Sequence, residues 1–261
     1  QDVEGCFGPR TSSHYNYGHA IATLAMVEAY GMTKSALYSK SAQKALDFLA
    51  NAQLPSSVWS RGSADGVATG AGDASTTAWA SLCLADVRRM NAAEGQAGRS
   101  PMLEGHDRRR EETLAWLAKA SEAGDAIAGA SALFLALERP QAARDVESVR
   151  AAERLLAALS PSIEVAALDL GRGHWATIAL FQAGGEVWKR WDPRFVRGVV
   201  DAQRHDGDFC TTKGSFDPSG AEAEAFGRVG STALGALSLE VHHRYDRGGV
   251  AQTPAASPSV P

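Results

Sequence analysis

Four residues able to do chemistry stand at matching places in this chain: His19, Asp73, His174 and Arg228. An imidazole exchanges a proton near neutral pH, a carboxylate accepts one, and a guanidinium grips anions through a planar fork of donors. Such a set could carry out general acid–base chemistry, with Arg228 steadying negative charge, or could hold a polar or anionic group without reacting. Their spacing groups them. Each lies three or four residues before a hydroxyl residue in a patch of small residues, namely Thr23, Thr77, Thr177 and Thr232. Asp125 stands six before a fifth, Ser131. Helix capping accounts for Asp73 and Asp125, whose carboxylates suit the free N–H groups at a helix start. It does not account for Arg228, a cation at the wrong end of a helix dipole. That residue needs an anionic neighbour, either Asp73 or a ligand carboxylate or phosphate. For His19 the plain alternative is a satisfied core histidine. The shared height predicts that at least three of the four side chains converge on one pocket, with Trp175, Trp79, Tyr17 and His14 lining it.

The elements that must position these residues repeat along the chain. Five stretches have Gly or Asp in their first two residues, pass through small residues and become rich in Leu and Ala: "YGHAIATLAMVEAYG", "DASTTAWASLCLADVRRM", "GDAIAGASALFLALER", "GHWATIALFQAGGEVW" and "GRVGSTALGALSLEVHHRY". Their hydroxyl anchors are separated by steps of 54, 54, 46 and 55 residues. A period near fifty marks a repeat architecture. Helices of a second kind lie between them. In "SKSAQKALDFLANAQ" the apolar residues Ala42, Ala45, Leu46, Leu49 and Ala52 form one stripe. The stretches around Trp116, before Ser160 and after Asp192 behave alike, and Pro193 suits a first helical turn. A helix apolar all round must be covered on several sides, whereas an amphipathic one needs a single neighbour. Five apolar helices inside and four amphipathic ones outside satisfy both, in a complete or incomplete α/α ring; an open solenoid is the alternative. Ala25 and Leu237 are expected in the interior. Connections from inner to outer helices are expected to be short, and the returning ones long and Gly-rich, so that the long loops share one rim.

Bulk composition excludes several classes. The chain has 261 residues and a formal net charge of −4, with no basic footprint for nucleic acid. The run Arg108-Arg109-Arg110 is followed by Glu111-Glu112 and reads as a solvated helix start. Three cysteines, Cys6, Cys83 and Cys210, form no disulfide framework, and no pair has zinc-ligand spacing. Asp208-Phe209-Cys210 has an Asp-x-Cys spelling but falls in a loop. His242-His243 suits the end of the last apolar helix. No transmembrane span or signal peptide is read in the given chain. Residues 1–16 form an N-terminal arm, 17–246 the repeat domain, and 247–261 a Pro/Ala/Ser-rich tail expected to be disordered.

The quoted repeats, with "ALDFLANAQLPSSVW" and "GGEVWKRWDP", resemble the prenyltransferase and squalene-cyclase repeat family, which has the α/α-toroid fold. Gln53 and Trp59 look like a worn glutamine–tryptophan repeat motif. The resemblance covers about Tyr17 to Tyr245 and is nearest to bacterial proteins of this class with no settled activity. It implies a fold more than a function, since one fold hosts many. The Asp-x-Asp-Asp acid of class II terpene cyclases is missing, and Asp206-Gly207-Asp208-Phe209 is better read as a turn. The family's zinc trio is incomplete: Asp73 matches, but Ser75 stands in place of the cysteine and Arg228 in place of the histidine. Cys6 lacks the Glu-Gln of a thioester sequence. Neither a metal nor a cofactor is expected. The resemblance and the residues together imply a binding module whose cavity takes an apolar or extended ligand behind the polar rim of His19, Asp73, His174 and Arg228. The alternatives are an enzyme at that rim, similar to a glycan lyase or hydrolase or a degenerate terpene cyclase, and a scaffold for a protein partner. The ligand would be an apolar or anionic small molecule or a glycan.

Overall fold

A computed structural model describes residues 1–62, 71–105, 109–139, 145–160, 168–207 and 212–245. The described residues are all-α, with ten helices: α1 (Tyr15–Thr33), α2 (Ala36–Asn51), α3 (Ala74–Gln96), α4 (Arg110–Glu122), α5 (Ala126–Leu137), α6 (Val146–Leu159), α7 (Leu170–Ala183), α8 (Gly185–Ala202), α9 (Ala221–Leu239) and α10 (Val241–Arg244). The expected tail and the Asp208-Phe209-Cys210 stretch lie outside the described residues.

Apolar and amphipathic helices alternate as the repeats require. In α3 every residue from Ala74 to Ala85 is buried, and α7 is buried from Leu170 to Phe181 except at Arg172. In α2 only the predicted stripe of Ala42, Ala45, Leu46 and Leu49 is buried. Short polar side chains start many of these helices. Ser35, Asp73, Asp145 and Asp169 accept the free N–H groups of α2, α3, α6 and α7. Asp125 accepts those of Ile127 and Ala128 at the start of α5.

The chain forms two compact units, Gln1–Leu135 and Ala136–Pro261. Within the first, α1 packs on α2 and α3, and α3 packs on α4. Within the second, α7 packs on α6, α8, α9 and α10. The helix α1–α2–α3 group and the α7–α8–α9 group therefore share one arrangement, two helices packed on the first of three.

Three sequence expectations are corrected. Ala25 is exposed and Leu237 half-buried, because α1 and α9 each leave one face uncovered. The α3–α4 connection spans residues 97–109, whereas α4 returns to α5 through Ala123, Gly124 and Asp125 alone, so loop length does not sort by direction. Pro193 lies inside α8 instead of opening a helix. Its ring removes one backbone donor, and burial of Trp188, Trp191 and Phe195 on the same helix offsets the loss.

Candidate functional site

In the first unit, Tyr17, Trp79 and Asp73 join one side-chain cluster. The indole Nε1–H of Trp79 donates to the Tyr17 hydroxyl at 3.1 Å. The guanidinium of Arg61 stands 5.1 Å above the Tyr17 ring and pairs with Asp73 at 3.3 Å. Asp73 also accepts from the Thr76 N–H at 2.8 Å, so it caps α3 and holds Arg61 at once. The backbone fixes Arg61 further, because its carbonyl accepts the Asn16 and Tyr17 N–H groups that open α1. Beside it, the Asn16 amide donates to the Ser60 carbonyl at 2.9 Å, while Asn16 Oδ1 and Ser60 Oγ are buried without a partner among the described residues. His14 sits at the start of α1, its Nδ1 2.9 Å from the Ser13 hydroxyl.

His19 is not part of that cluster. It is wholly buried where the N-terminal arm meets α1 and α2. Its Nδ1 accepts the Phe7 N–H at 3.1 Å, which leaves the proton on Nε2, and Nε2 donates to the Ala45 carbonyl at 3.1 Å. Phe7 stacks on its ring and Phe48 meets it edge-on. Burial holds its pKa down to about 4, against a smaller opposing pull from the Ala45 carbonyl. A neutral imidazole sealed from solvent and bonded through both nitrogens is a core histidine and is not placed to act on a ligand.

In the second unit, His174 is likewise buried, 2% exposed, on α7. Its Nδ1 lies 3.3 Å from the Ser238 hydroxyl, and that hydroxyl spends its own proton on the Leu234 carbonyl, so the imidazole is the donor. Burial, with the nearby charge of Arg244, presses its pKa down to about 3. Trp175 meets it edge-on and is also buried, in the core of its unit. Arg228 finds its anion inside the chain. Its guanidinium bonds Asp217 at 2.5 Å and the Ser215 hydroxyl at 3.1 Å. Asp217 is shared with Arg204 at 2.8 Å, and both guanidiniums hold its carboxyl below the usual range. Each of the four rim candidates is thus bonded to residues of its own unit. Asp73 pairs with Arg61, and Asp217 takes the anionic role beside Arg228.

Sequence reasoning missed Arg61 and Asp217, which lie in loops with no periodic signal. It also missed the His242–Asp192 pair, 3.2 Å apart, with His242 edge-on to Phe181 and Trp188. In the first unit a cavity of ≈ 10 Å³ beside Trp59, Arg110 and Thr113 has room for about one water. In the second, a groove of ≈ 250 Å³ has Leu137, Val149, Ala152 and Val187 in its lining. Glu153 and Glu186 at its margin are paired with Arg190 and Lys189.

Helix α1 presents a different kind of surface. Gly18, Ala25 and Met32 are exposed, with Ile21, Ala22 and Ala29 half-buried between them. These residues lie on one side of the helix, with Glu28 at its flank. On α9, Val229, Ala233 and Ala236 are exposed at helical spacing. Among the described residues no group of three or more His, Cys, Asp or Glu side chains is placed to hold a metal ion. None of the described helices is long and apolar enough to cross a membrane. Comparison with known protein families, with curated proteins and with solved structures finds no match.

Proposed function

We propose that this protein is a non-catalytic binding module of the α/α-toroid type whose apolar helix faces receive an extended, apolar ligand. The observation that carries the proposal is the open face of α1. From Gly18 to Met32 it offers no charge along its centre over about 21 Å at the helical rise. Contiguous exposed apolar surface on a folded chain marks a place of contact. Small residues make that face shallow, which suits a thin, extended ligand better than a bulky one. The alternation of apolar and amphipathic helices supports the toroid reading. Burial of His19 and His174 removes the acid–base pair that an enzyme at the rim would need.

Titration with a fluorescent long-chain fatty acid tests the proposal. The wild type should bind saturably. Ala25→Asp places a carboxylate on the face without disturbing the core, so it should keep the wild-type melting temperature and bind at least about tenfold more weakly, a loss of about 1.4 kcal/mol. Equal binding by the two proteins would remove α1 as the contact surface.

A further inference from the structure

The two units close their loops with the same latch built in opposite polarity. In the first, the loop after α2 reaches α3 at Trp59, whose N–H donates to the Thr77 hydroxyl at 3.1 Å. In the second, the loop after α8 reaches α9 at Phe216, whose N–H donates to the Thr232 hydroxyl at 3.2 Å. Both hydroxyls are repeat anchors. A few residues past each aromatic comes a glycine with positive φ, packed against the start of the unit's first long apolar helix. A Cβ on Gly62 would come within 2.7 Å of Tyr15, and one on Gly220 within 2.5 Å of the Asp169 carboxylate. Between aromatic and glycine stands the charged residue of the loop. Its partner lies four residues before the anchor threonine in both cases. In the first unit the loop supplies the cation and the helix the anion, Arg61 with Asp73. In the second the loop supplies the anion and the helix the cation, Asp217 with Arg228.

The side chains of these two pairs keep between a quarter and a half of their surface in solvent, where an ion pair adds little to stability. Half-exposed charges are better suited to discrimination, because a wrong pairing that sets like charges together is disfavoured. Repeated modules are prone to exchanging equivalent segments, within a chain or between copies. Here, exchange would place Arg61 against Arg228 and Asp217 against Asp73. We propose that the inverted polarity is a registration device that keeps each loop on the helix of its own unit.

Refolding of the full chain from denaturant over a range of concentrations tests this, with the products resolved by analytical ultracentrifugation and by the yield of native protein. Three variants are compared with the wild type: Arg61→Asp with Asp73→Arg, Asp217→Arg with Arg228→Asp, and all four changes together. Each twofold variant exchanges the signs within one loop–helix pair and gives both latches the same polarity, at a local cost that does not depend on protein concentration: the Asp73 cap of α3 in one, the Arg204–Asp217 pair in the other. The fourfold variant restores opposition while carrying both of those local costs. Each twofold variant should give a several-fold larger, concentration-dependent fraction of exchanged dimer or misfolded chain. The fourfold variant, though less stable, should return to the exchanged fraction of the wild type. Failure of both twofold variants to fold while the fourfold variant folds would also support the device. Wild-type refolding by either twofold variant would overturn it. So would a fourfold variant whose concentration-dependent exchanged fraction is as large as that of the twofold variants, since local costs would then set the outcome.

Discussion

At the residue scale, burial decides what the histidines are. Both His19 and His174 have their pKa pushed below the ordinary imidazole value, to about 4 and about 3, with desolvation as the main cause. The neutral form is therefore the one that folding favours. Above the ordinary value of about 6.5 its contribution is fully present. As pH falls below that, the unfolded chain takes up protons that the folded chain refuses, so stability declines through pH 4. For His19 alone the loss amounts to about 3 kcal/mol, from 1.36 kcal/mol per pKa unit. In His19→Gln the amide can still accept from Phe7 N–H and donate to the Ala45 carbonyl but does not titrate. Thermal melts between pH 7 and pH 4 should show a shallower fall for that variant; parallel curves would exclude His19 as the cause. Thr77 makes a second prediction. Its hydroxyl is buried and accepts the Trp59 N–H. Thr77→Val keeps the shape but orphans that donor, and should cost about 1–3 kcal/mol in denaturant unfolding.

At the element scale, the sequence pattern separates helices by coverage. Leu46 belongs to the buried stripe of α2, while Lys44 on the same helix is exposed. Leu46→Asp should bury an unpaired carboxylate and cost several kcal/mol, enough to unfold a marginal domain. Lys44→Asp should stay within about 0.5 kcal/mol of the wild type. Helix α1 shows where pattern reading fails. Its composition is apolar nearly throughout, so composition cannot tell the flank that meets α2 and α3 from the one left open. Ala25 is as apolar as Ala20, yet Ala20 is buried and Ala25 exposed. The same ambiguity placed Leu237 too deep. Pro193 misled in another way, since its local preference for a first turn yields to the packing of Trp191 and Phe195, whose rings stack at 5.0 Å.

At the scale of the whole molecule, stability should be uneven. Helices α3 and α7 carry the long buried runs, Ala74–Ala85 and Leu170–Phe181. Helix α9 exposes Val229, Ala233 and Ala236, and its backbone breaks at Gly227. Native-state hydrogen exchange should therefore find the slowest amides in α3 and α7 and markedly faster exchange in α9 beyond Gly227. Slow amides spread evenly over all the apolar helices would contradict this. The duplicated latch belongs to this scale as well, because its meaning lies in the relation between two units and not in either pair alone.

The sequence by itself determined the all-α class, the alternation of helix types, the stripe of α2 and the capping carboxylates Asp73 and Asp125. Those features arise from spacing along the chain, which periodicity and helix-end chemistry register directly. Only the tertiary structure decided which face of α1 stays open, which partner Arg228 takes, and that His19 is sealed between Phe7 and Ala45. Each depends on residues far apart in sequence, and no local preference encodes them. Arg61 and Asp217 could be recognised as equivalent once Trp59 and Phe216 were seen bonded to the same anchor threonine of their respective repeats.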